Sequence, residues 1–197
     1  MSRQKEHRKA KKREKVRKKR SDAQRRRGSR KVLGMAADRI EQARRWPMAG
    51  CWASQNWYEQ GASVHVAFTR RHDDGRMAAA FFDLDLEARG VTGVTADAPL
   101  TTAEIHAELA KRSDQGVAMI EIDPTLAVKL VNTARDWGTK QGHDQPSGLQ
   151  RAQRLFGGIR GSKAREEILT GSPDPNAPKP PPRSEGLLSS LKRRVFG

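Results

Sequence analysis

The stretch VHVAFTRRHDDGRMAAAFFDLDL, Val64 to Leu86, decides how this chain folds. Val64, Val66 and Phe68 alternate with His65, Ala67 and Thr69. That two-residue period suits a pleated strand with one face buried. His72-Asp73-Asp74-Gly75 closes the run. An Asp-Gly pair supplies the positive φ that a tight hairpin turn needs. A second apolar run, Met77 to Leu86, comes after it. Strand, Asp-Gly and strand together predict an antiparallel hairpin.

Helical patterns flank the hairpin. Upstream, Val32, Leu33, Met35, Ala36, Ile40, Ala43 and Trp46 recur at three- and four-residue spacings and predict an amphipathic helix that Pro47 stops. Met48 to Gly61 is turn-rich. Downstream, Gly90-Val91 is followed by a loop ending at Pro99. Thr101 and Glu104 then form a capping box for a helix reaching about Arg112. Val117 to Ile122 fits a short strand or an extended link. Asp123-Pro124 places a cap and an N1 proline ahead of a stripe of Leu126, Ala127, Leu130, Val131, Ala134 and Trp137, ending near Gly142. Leu149 to Phe156 is a further helix broken by Gly157-Gly158, and Ala164 to Leu169 adds a final turn or two. The sum is α+β: a small hairpin-based sheet packed by four or so helices in one domain, residues 32–169. The four tryptophans, Trp46, Trp52, Trp57 and Trp137, are expected in its core.

Charge divides the chain differently. Residues 1–31 hold 17 Lys+Arg against three Asp+Glu, whereas residues 32–169 hold 17 against 18. The formal charge of +16 is therefore concentrated in an arm. With almost no apolar residues, that arm cannot offset its ordering entropy and is expected to be disordered when free. Residues 170–183 are Pro-rich and extended. In residues 184–197, Leu187, Leu188, Leu191 and Val195 share a helical face beside Lys192, Arg193 and Arg194. Such an amphipathic basic segment suits a protein groove over residues 187–196.

Several classes fall away. No run approaches the roughly 18 apolar residues of a membrane helix, and no apolar core succeeds the basic N-terminus as in a secretory leader. A single cysteine, Cys51, forms no internal disulfide and suits a reducing cytoplasm. Gly50-Cys51-Trp52-Ala53-Ser54 resembles the nucleophile segment of papain-like proteases, but Met48 stands where the paired cysteine belongs and no histidine lies at the required distance downstream, so a buried thiol is expected. The histidines His7, His65, His72, His106 and His143 lack ligand spacing. Neither a metal nor a cofactor is expected.

The segment from Trp46 to Ile159 resembles a family of bacterial proteins to which no activity is assigned. The residues that carry the resemblance are Trp46-Pro47, Cys51, Trp57, the strand Val64 to Arg70, Asp83 to Val91, Pro124 to Val131 and Arg154 to Gly158. Gly142-His143-Asp144-Gln145-Pro146 departs from that family's Gly-Phe-x-Pro-His element. The resemblance implies one cytoplasmic α+β domain and supplies no catalytic set.

The arm is the main functional feature. Its cations Arg8, Lys9, Lys11, Lys12, Arg13, Arg17, Lys18, Lys19, Arg20, Arg25, Arg26 and Arg27 suit phosphates, whose counterions are released when Lys and Arg replace them. RNA is favoured over DNA, because no helix-turn-helix, zinc finger or zipper accompanies the arm. Gly158-Ile-Arg-Gly161 adds a second element, flanked by Arg154, Arg160, Lys163 and Arg165. It resembles the GxxG backbone clamp of KH domains, although Ala164 stands where those carry Ile. Arg160 and Lys163 are the candidate phosphate contacts; the plainer reading is a glycine-ended helix and a basic turn. Two rival functions stay open at this point. One is an adaptor whose tails only anchor it. The other is a Mg²⁺-dependent hydrolase in which Asp83 and Asp85, two residues apart on one strand, hold the metal.

Overall fold

The structure is a computed structural model that describes residues 39–113 and 116–172. The arm, the C-terminal segment 184–197, residues 173–183 of the linker and residues 32–38 of the first expected helix lie outside the described residues.

The hairpin is the centre of the sheet. β2 (Ser63–Arg71) and β3 (Met77–Asp85) pair antiparallel over their full length, Val66 opposite Phe82 and Phe68 opposite Ala80. Gly75 takes φ +86° in the turn between them. Two further strands flank this pair where the sequence predicts turns and a loop. β1 (Met48–Ser54) pairs with β2, and β4 (Gly90–Leu100) pairs with β3. A short β5 (Met119–Glu121) adds to the free side of β1, giving an antiparallel sheet of order β4-β3-β2-β1-β5.

Helices cover both faces. On the first, α2 (Pro124–Lys140) buries Leu126, Ala127, Leu130, Val131 and Ala134 against Val64, Val66, Phe68, Ala80, Phe82 and Leu84. α3 (Leu149–Gln153), a 3₁₀ turn over Arg154–Phe156 and a helical turn at residues 39–43 complete that core. On the second face α1 (Thr102–Ser113) sets Ile105 against Ala67, Met77, Ala79 and Phe81. Two-sided cover explains why Ala67 and Thr69, expected on an open face, are buried with the rest of β2. It also explains the unbroken apolar run of β3.

Both helix starts carry the chemistry read from the sequence. Glu104 accepts Thr101 N–H at 2.7 Å, and Thr101 Oγ1 accepts Glu104 N–H at 3.2 Å. Asp123 accepts Thr125 N–H at 2.7 Å ahead of Pro124. Each such cap satisfies a donor that the helix itself leaves unpaired. The final turn expected over Ala164 to Leu169 is instead non-helical. Lys129 Nζ, reaching out of α2, donates to the carbonyls of Ala164 and Glu166 and binds this segment to the domain. Of the four tryptophans only Trp57 is buried; Trp46, Trp52 and Trp137 are half-buried.

Candidate nucleic-acid interface

The turn that bears Arg160 and Lys163 is built by two glycines with different jobs. Gly157 ends the 3₁₀ turn at φ +60°, where a Cβ would lie 2.8 Å from the Arg70 guanidinium. Gly161 packs on the backbone of α2: a Cβ there would come within 2.8 Å of Lys129 Cα. Gly158 has open space around it. The second glycine of Gly158–Gly161 is thus spent on helix packing, not on the approach of a phosphate. Beyond it the chain makes one 3₁₀ turn, Gly161–Lys163, and then runs non-helical, so the helix–GxxG–helix order of a KH domain is not formed. Arg160 and Lys163 are nevertheless exposed, and no carboxylate pairs with either among the described residues. The other twelve candidate residues, Arg8 to Arg27, lie outside the described residues.

A second basic group surrounds the end of β2, and sequence spacing did not reveal it. The Arg70 side chain is buried, and no carboxylate faces it among the described residues. Its Nε donates to Leu155 O at 2.6 Å, one Nη to Phe156 O at 3.1 Å and the other to Trp46 O. Burial lowers its pKa from the ordinary value, and three carbonyl dipoles hold the charge in place. Arg70 therefore ties the chain at Trp46 to the turn after α3. Beside this clamp, Glu41 accepts from Arg44 at 2.7 Å and from Arg154 at 3.2 Å. The Arg44 guanidinium, with Arg154 behind it, keeps the Glu41 carboxyl below the usual carboxylate range.

The carboxylates proposed for a metal sit at the other end of the sheet and are already engaged. Asp83 Oδ1 accepts His65 Nδ1–H at 2.8 Å, and Arg112 Nε lies 3.9 Å from the same oxygen. Gly93 faces Asp83 on β4, where a Cβ would stand 2.4 Å from Oδ2. Asp85 accepts the N–H groups of Glu87 and Ala88 at 3.0 Å and shapes the β3–β4 turn. Among the described residues no three His, Cys, Asp or Glu side chains gather as a metal site. Imidazole and carboxylate resemble two members of a general-base relay. The hydroxyls in this row bond elsewhere, however. Ser54 Oγ accepts His65 N–H at 2.8 Å, and Thr92 Oγ1 donates to Asp83 O at 3.0 Å. With Arg112 stacked on Phe81, 4.5 Å from ring centre, and paired with Glu108 at 2.7 Å, the group fastens α1 to the sheet.

No family model, curated protein or solved structure matches this chain. The chemistry open to each group is set by its own surroundings. Among the described residues no helix is long and apolar enough to cross a membrane. Cys51 lies on the first face with no exposed surface, away from His65 on the second, and burial pushes its thiol up to about 12. A nucleophilic cysteine needs the opposite shift. The unfolded thiol ionises near pH 9 and the folded one near 12, so stability is fully present below pH 9 and falls as pH rises between these values. Wild type is expected to lose up to about 1.4 kcal/mol more per pH unit in that window than Cys51→Ala. Urea melts of both proteins at pH 8 and 10.5 measure it; parallel losses would show the thiol is not held neutral.

Proposed function

We propose that this is a non-enzymatic, cytoplasmic RNA-associated protein that holds the phosphates of a ribosome or another large RNA particle with its basic arm. The observation that carries this reading is the partition of charge: 17 cations against three anions in residues 1–31, next to a domain with 17 against 18. A tail needed only for solubility has no use for such one-signed density. The domain adds the exposed Arg160 and Lys163, while Asp83, Asp85 and Cys51 are engaged in packing and turns. Residues 187–196 are proposed to dock on a protein neighbour in the same particle. The resemblance over Trp46 to Ile159 brings no activity to set against this.

Counterion release makes the proposal measurable. If half of the arm's cations meet phosphates, log K against log salt falls with a slope of about −7. Removing residues 1–30 is expected to cut affinity for a 24-nucleotide RNA hairpin more than ~100-fold at physiological salt. Fluorescence anisotropy across a salt series reads both numbers. Unchanged affinity after the deletion would sink the reading.

A further inference from the structure

The balanced charge of the domain conceals a local group of arginines. At the β2–β3 turn end of the sheet stand Arg44, Arg45, Arg71 and Arg154, all exposed. Their neighbourhood is fixed by contacts. The Arg70 clamp joins Trp46 to Leu155 and Phe156; Arg71 N–H bonds Pro47 O at 3.0 Å; a Cβ on Gly157 would be 3.3 Å from Arg44 O. Arg44 and Arg154 share the single carboxylate of Glu41, so that group of three keeps a net positive charge. Among the described residues neither Arg45 nor Arg71 has a carboxylate within ion-pair distance. The adjoining turn contributes Asp73 and Asp74, and Asp74 is bound by Arg76 at 2.6 Å and by His72 at 2.9 Å. Buried Arg70 adds a charge that carbonyls orient but do not neutralise. The opposite end, around the β3–β4 turn, carries Asp83, Asp85 and Glu87 together with Arg89 and Arg112.

We propose that the arginine face made by Arg44, Arg45, Arg71 and Arg154 is a second phosphate-binding site, which seats the folded domain on the RNA backbone that the arm threads. Two observations choose this occupant. Guanidinium groups fork onto phosphate oxygens bidentately, and here four of them stand at one end of the sheet, where Glu41, shared by Arg44 and Arg154, is the one carboxylate paired with any of them among the described residues. The arm also lies upstream in sequence of the helical turn 39–43, which leads directly into Arg44 and Arg45. In sequence, Arg44 and Arg45 are thus among the first cations of the described domain that follow the arm. Trp46, half-buried with its ring 5.0 Å from that of His72, gives the face an aromatic border on which an unpaired base stacks.

The inference rests on the RNA reading above, and the experiment separates the two. The full chain, Arg45→Gln/Arg71→Gln and Arg89→Gln/Lys140→Gln are titrated with a 24-nucleotide RNA hairpin across a salt series. The last pair removes the same charge from the far end of the sheet. Both pairs are exposed, and thermal melts confirm that each variant folds. The face pair is expected to reduce the magnitude of the salt slope by about 2 and to weaken binding about tenfold at 0.15 M salt, with the control pair unchanged. Equal effects from both pairs, or none from the face pair while wild type binds tightly, would overturn the face and leave the arm as the RNA contact. No binding by wild type would remove the RNA reading and the face with it.

Discussion

Gly90→Ala lowers the stability of the domain by about 4 kcal/mol, the largest loss expected from any single methyl group added here. Two costs combine. Gly90 sits at φ +76°, a conformation that L side chains rarely adopt, and a Cβ there would lie 2.3 Å from Ala134 O and 2.7 Å from Gly138 N. These are backbone atoms of α2, so relief requires the helix to move off the sheet. Gly138 answers from the helix side: a Cβ on it would stand 2.4 Å from Arg89 O. Its replacement by alanine gains roughly 1 kcal/mol of helix propensity and still loses overall, because the same helix–strand contact opens. The two substitutions relieve each other, so Gly90→Ala/Gly138→Ala is expected to cost less than the sum of the single variants. Denaturant unfolding of the three proteins tests this. Additive losses would mean that the two glycines do not share one contact.

Arg70→Ala is expected to cost about 3 kcal/mol and to lower Tm on the order of 10 °C. The side chain is 8% exposed and is the hydrogen-bond donor for the carbonyls of Trp46, Leu155 and Phe156. Phe156 O keeps Ile159 N–H at 3.1 Å, but Trp46 O and Leu155 O lose their donor inside the fold. Arg70→Lys keeps the charge on a single ammonium that cannot span three acceptors, so an intermediate loss of about 2 kcal/mol is expected. Thermal and urea melts of both variants measure these losses. A loss below 1 kcal/mol for Arg70→Ala would show that water replaces the guanidinium at little cost. Because Arg70 also holds Trp46 beside Leu155, loosening it should disperse the arginine face along with the core.

The hairpin was readable because both of its determinants are local. Alternation sets the faces of β2, and Asp74-Gly75 sets the turn. Helix starts were readable for the same reason: Thr101 with Glu104 and Asp123 with Pro124 satisfy donors within three residues of themselves. β1 and β4 were not readable, since their glycines look like turn residues when seen in sequence alone. Each is demanded by something beyond its immediate neighbours. Gly50 lies under the Trp52 ring, Gly93 makes room for the Asp83 carboxylate, and Gly90 admits α2. Glycine within a strand marks a close approach, and what approaches is known only once the chain is folded. Gly161 misled in the opposite direction, since its spacing suggested a phosphate clamp and its role is contact with Lys129.

The sequence alone determined the central hairpin, the capped helix starts and the concentration of positive charge in residues 1–31. Those features depend on neighbours a few positions apart, or on composition. Tertiary structure decided which arginines stand together. Residues 44, 45, 71 and 154 are scattered among acidic side chains along the chain, and counting them gives a nearly neutral domain. Folding the β2–β3 turn against the ends of two helical segments brings them to one end of the sheet, while Asp83, Asp85 and Glu87 go to the other. Net charge is a sum over residues, whereas the field a phosphate meets depends on their positions.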